Sequence, residues 1–129
     1  MDKIQLIDTV PNVFQGSVSL MSDIWAKEVT FEKGKLYLVE ANSGTGKSSL
    51  CSYIYGYRHD YQGTILFDEE DVRSYTIKQW NRIRKKHFAL LWQELRLFPE
   101  LTALENVQIK NCLTRFQKKK QMSLLKIIG

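Results

Sequence analysis

Residues 43–49 read SGTGKSS, and few short segments restrict what a chain can fold into as much as this one does. A strand-length, apolar-rich run at residues 35–40 leads into it. A helical pattern follows from Lys47 to about residue 55, with Leu50, Tyr53 and Ile54 at helical spacing. Strand, glycine-rich loop, helix is an arrangement that grips phosphate groups. A helix start carries unpaired backbone N–H groups and the positive end of the helix dipole, so a dense anion is stabilised there. Gly44 and Gly46 let the backbone curl closely round a β-phosphate, where a Cβ atom would obstruct it. Lys47 places a mobile ammonium between the β- and γ-phosphates, Ser48 offers a hydroxyl to Mg²⁺, and Ser49 can reach the α-phosphate side. Asn42, Ser43 and Thr45 complete the cofactor-binding loop. With Gly at about 7% of residues, G-x-G-K-[ST] arises by chance in roughly one chain of this length in several hundred. The expected ligand is a nucleoside triphosphate, ATP foremost, together with Mg²⁺.

The full pattern, G-x-x-x-x-G-K-[ST], has Gly where this chain has Ala41. A position needing positive φ would cost Ala on the order of 1 kcal/mol. A position needing only a small side chain would accept it, and the intact Gly44, Gly46, Lys47 and Ser48 favour that reading.

The chain has 129 residues, the length of one ordinary domain. Hydrophobic residues at 43% and charged residues at 26% exclude disordered and fibrous classes. No apolar run approaches the ~20 residues that cross a bilayer, and the N-terminus lacks the pattern of an export signal. Cys51 and Cys112 match no metal-ligand spacing and are expected to be reduced and buried, which fits a cytoplasmic chain. The net charge of +5 is concentrated at Arg82, Arg84, Lys85 and Lys86 and at residues 118–120. No aromatic residue alternates with these charges to stack bases, so they read as solvated helix faces and no nucleic-acid partner is expected.

Along the chain, residues 4–6, 17–24 and 27–31 read as short strands punctuated by Gly16 and Gly34. Residues 56–63 read as a connection and 64–67 as a strand. Thr76 and Gln79 form a capping-box pattern that opens a helix through about Lys86, with Ile77, Trp80 and Ile83 on one stripe. Residues 88–92 are continuously apolar, as in a strand covered on both faces. A loop at 93–99 and a second capping box, Thr102 to Glu105, precede another helix, and the tail at 117–128 looks helical. These elements describe an α/β domain with an antiparallel portion at its N-terminus.

The segment FALLWQELRLFPELTALENVQI, starting at Phe88, resembles the Q-loop region of the ATPase subunits of ABC transporters. The segments FEKGKLYLVEANSGTGKSSLCSYIYG and YQGTILFDEEDV resemble the same family's strand, phosphate loop, first helix and following turn. The resemblance covers about residues 10–112, with the two motifs at the family's usual separation. It implies a P-loop NTPase fold of the ABC ATPase type, incomplete at the C-terminus, with residues 1–129 forming the N-terminal part of an ATP-binding domain. It implies catalytic roles for Lys47 and Gln93, with Gln93 reaching Mg²⁺ beside Ser48 and sensing the γ-phosphate; an amide that both donates and accepts suits that task. It implies that Phe14, in NVFQG, stacks on adenine, with Trp25 as the alternative. Leu95, Leu97 and Phe98 would face a membrane-spanning subunit, or pack against the domain's own helices. A second ATP-binding subunit and a position at the inner face of the cell membrane are also implied. The text round residues 97–107 is most like lipoprotein-releasing and drug-exporting members.

The family pattern continues with an LSGGQ-type signature, a strand ending in Asp-Glu and a switch His, and none follows Gln93 here. The 129 residues are therefore expected to bind nucleotide without turnover when alone; a degenerate binding module is the alternative reading. A small-molecule kinase would need its own acidic Mg²⁺ ligand, and residues 68–71, the only acidic cluster, read better as a solvated turn.

Overall fold

The computed structural model describes residues 1–16, 21–91, 94 and 97–114. They fall into two compact units, Met1–Phe88 and Ala89–Gly129.

The first unit is built on a four-stranded antiparallel sheet of order β2-β1-β3-β4, with β1 Lys3–Pro11, β2 Val29–Glu32, β3 Tyr61–Phe67 and β4 Glu70–Asp71. The core lies on one face of β3, where Tyr61, Ile65 and Phe67 are buried at the two-residue period of a half-covered strand. Leu6 of β1 lies opposite Ile65 and is equally inaccessible. Helix α1, Lys47–Ile54, adds Leu50 and Tyr53 to this core, and α2, Ile77–Lys86, adds Trp80. The Trp80 ring packs edge-on against Phe67 at 5.8 Å and lies over Gly56, where a Cβ would approach within 2.6 Å.

A bulge in β1 shapes the sheet. Ile7 pairs with Thr64 and Val10 with Gln62, so Asp8 and Thr9 together face Gly63. Asp8 takes a positive φ of 48°, and the buried Thr9 hydroxyl donates to the Thr64 carbonyl at 3.0 Å. The bulge also anchors the following chain. The Ala26 amide donates to the Thr9 carbonyl and the Asp8 amide to that of Lys27, which fixes Trp25 beside the sheet.

Several sequence expectations hold. α1 starts at Lys47, and α2 opens with a complete capping box between Thr76 and Gln79. In the second unit, α3 (Ala103–Thr114) is preceded by the same device, the Glu105 carboxylate accepting from the Thr102 amide at 2.8 Å. The acidic cluster is a hairpin turn, with Asp68 and Glu69 at positive φ between β3 and β4.

Others are corrected. Residues 35–40 form no strand: Leu36 is 99% and Leu38 83% exposed, because a strand needs a ladder partner and none of the described residues offers one. The segment is tied instead through Tyr37, whose hydroxyl accepts from the Glu32 amide at 2.9 Å and whose ring meets Phe31 edge-on. Residues 88–91 likewise form no strand; Phe88 packs on Phe67 and Tyr55 while Leu91 is exposed. Residues 21–24 turn back instead of extending, since the Ser22 hydroxyl accepts from the Ile24 and Trp25 amides. The connection expected at 56–63 ends early, because β3 already begins at Tyr61. Ile77 points to solvent at the first position of α2, leaving Trp80 as that helix's buried residue. Cys51 and Cys112 are free and exposed, not buried as expected. Residues 17–20, 92 and the tail at 117–128 lie outside the described residues.

Candidate functional site

α1 has no side-chain cap; its N-cap is Gly46, in the left-handed region at φ 99°. A β-branched or bulky residue there would be strained, and even a bare Cβ would stand 3.0 Å from the Trp25 ring and 3.2 Å from that of Phe14. Gly44 has φ 80° with open space where its Cβ would be. The first helical bond runs from the Leu50 amide to the Gly46 carbonyl at 2.8 Å. The amides before it belong to a helix start and have no intrahelical acceptor.

The Ala41, Asn42 and Thr45 carbonyls of the loop are held by side-chain donors. Lys47 Nζ donates to the Asn42 carbonyl at 2.9 Å and to that of Ala41. Thr45 Oγ1 donates to the Asn42 carbonyl at 2.7 Å, and Trp25 Nε1 donates to the Thr45 carbonyl at 3.0 Å. The Lys47 ammonium therefore rests across the loop on neutral acceptors, which a phosphate's charged oxygens would outbid. Ala41 is not among the positive-φ residues, so its side chain is accommodated without the strain that position could have imposed.

Phe14 ends a single 3₁₀ turn, Asn12–Phe14, that follows β1, and it is half-buried against the core. Trp25 is buried, meeting Tyr53 edge-on at 6.3 Å, and its N–H is spent on the loop. The structure thus brings Phe14, Trp25, Asn42, Ser43, Gly44, Thr45, Gly46, Lys47, Ser48 and Ser49 together. Beside the loop lies a cleft of about 1050 Å³ lined by Ile24, Trp25, Leu38, Val39 and the loop itself. Gln93 lies outside the described residues. Leu97 and Phe98 of the second unit are exposed, in a loop gathered by Asn106: its Oδ1 accepts from the Phe98 amide at 2.8 Å and its Nδ2 donates to the Phe98 and Leu101 carbonyls.

Sequence reasoning missed two arginines here. Arg58, after α1, forks onto the Asp60 carboxylate and donates to Ser49 Oγ at 3.1 Å. Arg84, grouped by sequence with a solvated basic face, donates to the Tyr55 and Gly56 carbonyls beyond the end of α1 and stacks on Trp80 at 5.1 Å. An arginine's partner is set by tertiary placement, and no spacing in the sequence announces either contact.

Residues 26–127 match the sequence model of ABC transporters. The chain belongs to the ABC transporter family. This member of the family is 30% identical to the ABC transporter ATP-binding protein YtrE of Bacillus subtilis over 119 residues, which cover 89% of the chain and 50% of YtrE. It is 34% identical over 80 residues to the lipoprotein-releasing system ATP-binding protein LolD of Alcanivorax borkumensis, covering 62% of the chain and 35% of LolD. It is 23% identical over 132 aligned positions to the macrolide export ATP-binding/permease protein MacB of Bartonella quintana, covering 99% of the chain and 20% of MacB. The chain thus spans about half the length of YtrE and less of the other two. The family match carries the α/β phosphate-loop fold expected from residues 43–49.

Proposed function

We propose that residues 1–129 are the N-terminal part of the ATP-binding domain of an ABC transporter, and that they grip the nucleotide's phosphates. The observation that carries this reading is the start of α1: an uncapped helix end opening on Gly44 and Gly46, with Lys47 Nζ resting on carbonyls beside it. The residues fit a triphosphate. An uncapped helix start and the Lys47 ammonium belong to one short loop, and the Thr45 hydroxyl and the Trp25 N–H hold the Asn42 and Thr45 carbonyls.

In this reading Lys47 exchanges its carbonyl partners for β- and γ-phosphate oxygens. Phe14 stacks on adenine, with Trp25 serving the loop and core. Ser48, in the first turn of α1, is the residue that would hold Mg²⁺, and Gln93 would join it. The ion, when bound, neutralises charge on the phosphate oxygens. Leu97 and Phe98 form part of the surface offered to a membrane-spanning subunit, and a second ATP-binding subunit completes the site at the cytoplasmic face of the membrane. ATP and Mg²⁺ as ligands belong to this proposal.

Calorimetric titration of ATP–Mg²⁺ tests it. The wild-type chain is expected to bind, and Lys47→Ala to lose binding. Identical titrations for the two forms would refute the reading.

A further inference from the structure

The connection between α1 and β3 is built as a bracket on the flank of the phosphate loop. Arg58 Nε donates to Asp60 Oδ1 at 2.9 Å and Nη2 donates to Oδ2, a two-point contact that fixes the guanidinium plane. The guanidinium carbon lies 5.5 Å from the centre of the Tyr53 ring, so a buried aromatic supports it from one side. The Asp60 carbonyl accepts from the Tyr53 hydroxyl at 3.2 Å and from the Asn12 amide at 3.0 Å, which ties the bracket to the turn bearing Phe14. What remains is Arg58 Nη1, and it donates to Ser49 Oγ at 3.1 Å.

That last contact has a chemical consequence. A guanidinium has five N–H donors and no acceptor, so Ser49 Oγ can only accept from it. The serine's own proton must then point away from Arg58. A phosphate oxygen at the start of α1 is a charged acceptor, and a hydroxyl left free to donate bonds to it in preference to a neutral one. Ser49 is the third residue of α1, so its amide is among the helix-start N–H groups without an intrahelical acceptor.

We propose that Arg58 is a positioning residue of the phosphate site: held by Asp60 and Tyr53, it fixes Ser49 Oγ as an acceptor and so aims the Ser49 hydroxyl proton at a nucleotide phosphate oxygen. The proposal rests on the nucleotide reading above and adds a specific route by which the α1–β3 connection governs affinity. It also gives Asp60 a role, because its carboxylate, kept ionised by the Arg58 hydrogen bonds, prevents the guanidinium from swinging into solvent.

The test is a double-mutant cycle read by calorimetric titration of the full chain with ATP–Mg²⁺. Ser49→Ala and Arg58→Met are each expected to weaken binding about five- to tenfold, the scale of one hydrogen bond to a charged group. The double variant should bind no more weakly than the weaker single one, since both remove the same contact. Arg58→Lys keeps the cation but cannot fork onto Asp60 while reaching Ser49, so it should lose as much as Arg58→Met. It also serves where Arg58→Met proves unstable. Wild-type affinity in Arg58→Met, full rescue by Arg58→Lys, or losses that multiply in the double variant would each overturn the proposal. Lys47→Ala separates the levels. If it abolishes binding while Arg58→Met leaves it intact, only the Arg58 role falls; if it binds like wild type, the nucleotide reading falls and the Arg58 role with it.

Discussion

Gly63 sits at φ 81° opposite the bulge, and a Cβ placed on it would stand 2.3 Å from the Asp8 carbonyl oxygen. The obstacle is backbone held by the Thr9 and Ala26 contacts, so it cannot swing aside as a flexible side chain would. Gly63→Ala is therefore expected to cost at least about 2 kcal/mol, left-handed strain and overpacking together. Gly34→Ala, at φ 80° with nothing within 4 Å, should cost only the strain, about 1 kcal/mol. Urea denaturation of the two variants checks the difference, and equal losses would mean that the bulge yields. Tyr75 offers a second measurement at this scale. Burial first, and the nearby Glu70 charge next, push its hydroxyl up to about 12. An unfolded tyrosine ionises near about 10. The folded chain thus holds this proton where the unfolded chain releases it. The contribution is complete below pH 10 and is lost as the pH rises towards about 12. Stability should fall across that window, and less steeply in Tyr75→Phe. Tyr53 and Tyr61, raised by burial as well, keep some of the slope in the variant.

Among the elements, the helices were legible because their signals are local. Thr76 and Gln79 sit three residues apart, and each satisfies the other's orphan backbone group whatever the rest of the chain does. Thr76→Ala should accordingly destabilise the first unit by about 1 kcal/mol. The expected result is a lower urea midpoint with unchanged slope; no change would mean that Trp80 packing alone holds α2. Strands were less legible, because a strand is defined by its partner. Residues 35–40 and 64–67 look alike as apolar runs, yet only the second became a strand, paired with β1 on one side and β4 on the other. The bulge is set by the pairing of β1 with β3, a relation between distant segments, and so Gly63 read as the end of a connection when it is an interior strand residue. Arg84 carries the same lesson: its neighbours in sequence are basic and exposed, while its partners lie on the preceding helix's exit.

For the molecule as a whole, the loop was readable because phosphate chemistry fixes both residue types and spacing, and SGTGKSS states both in seven consecutive letters. The supports of that loop were not readable, since Trp25, Phe14 and Arg58 reach it from other parts of the first unit. The same unit carries its principal liability beside the loop. Leu36 and Leu38 are almost fully exposed on an apolar run whose backbone has no ladder partner among the described residues, and β2 lies at one edge of the sheet. Exposed apolar strand-length segments and open edges pair with other copies. The 129-residue chain is therefore expected to self-associate through residues 35–40. Sedimentation velocity should show a concentration-dependent shift to larger species, and Leu36→Lys with Leu38→Lys should return the chain to monomer. Both side chains already face solvent, so the double variant is expected to melt like wild type, which separates loss of association from loss of fold. A wild-type chain that stays monodisperse and monomeric, with a cooperative melt, would overturn the prediction and show that the segment is covered within the chain.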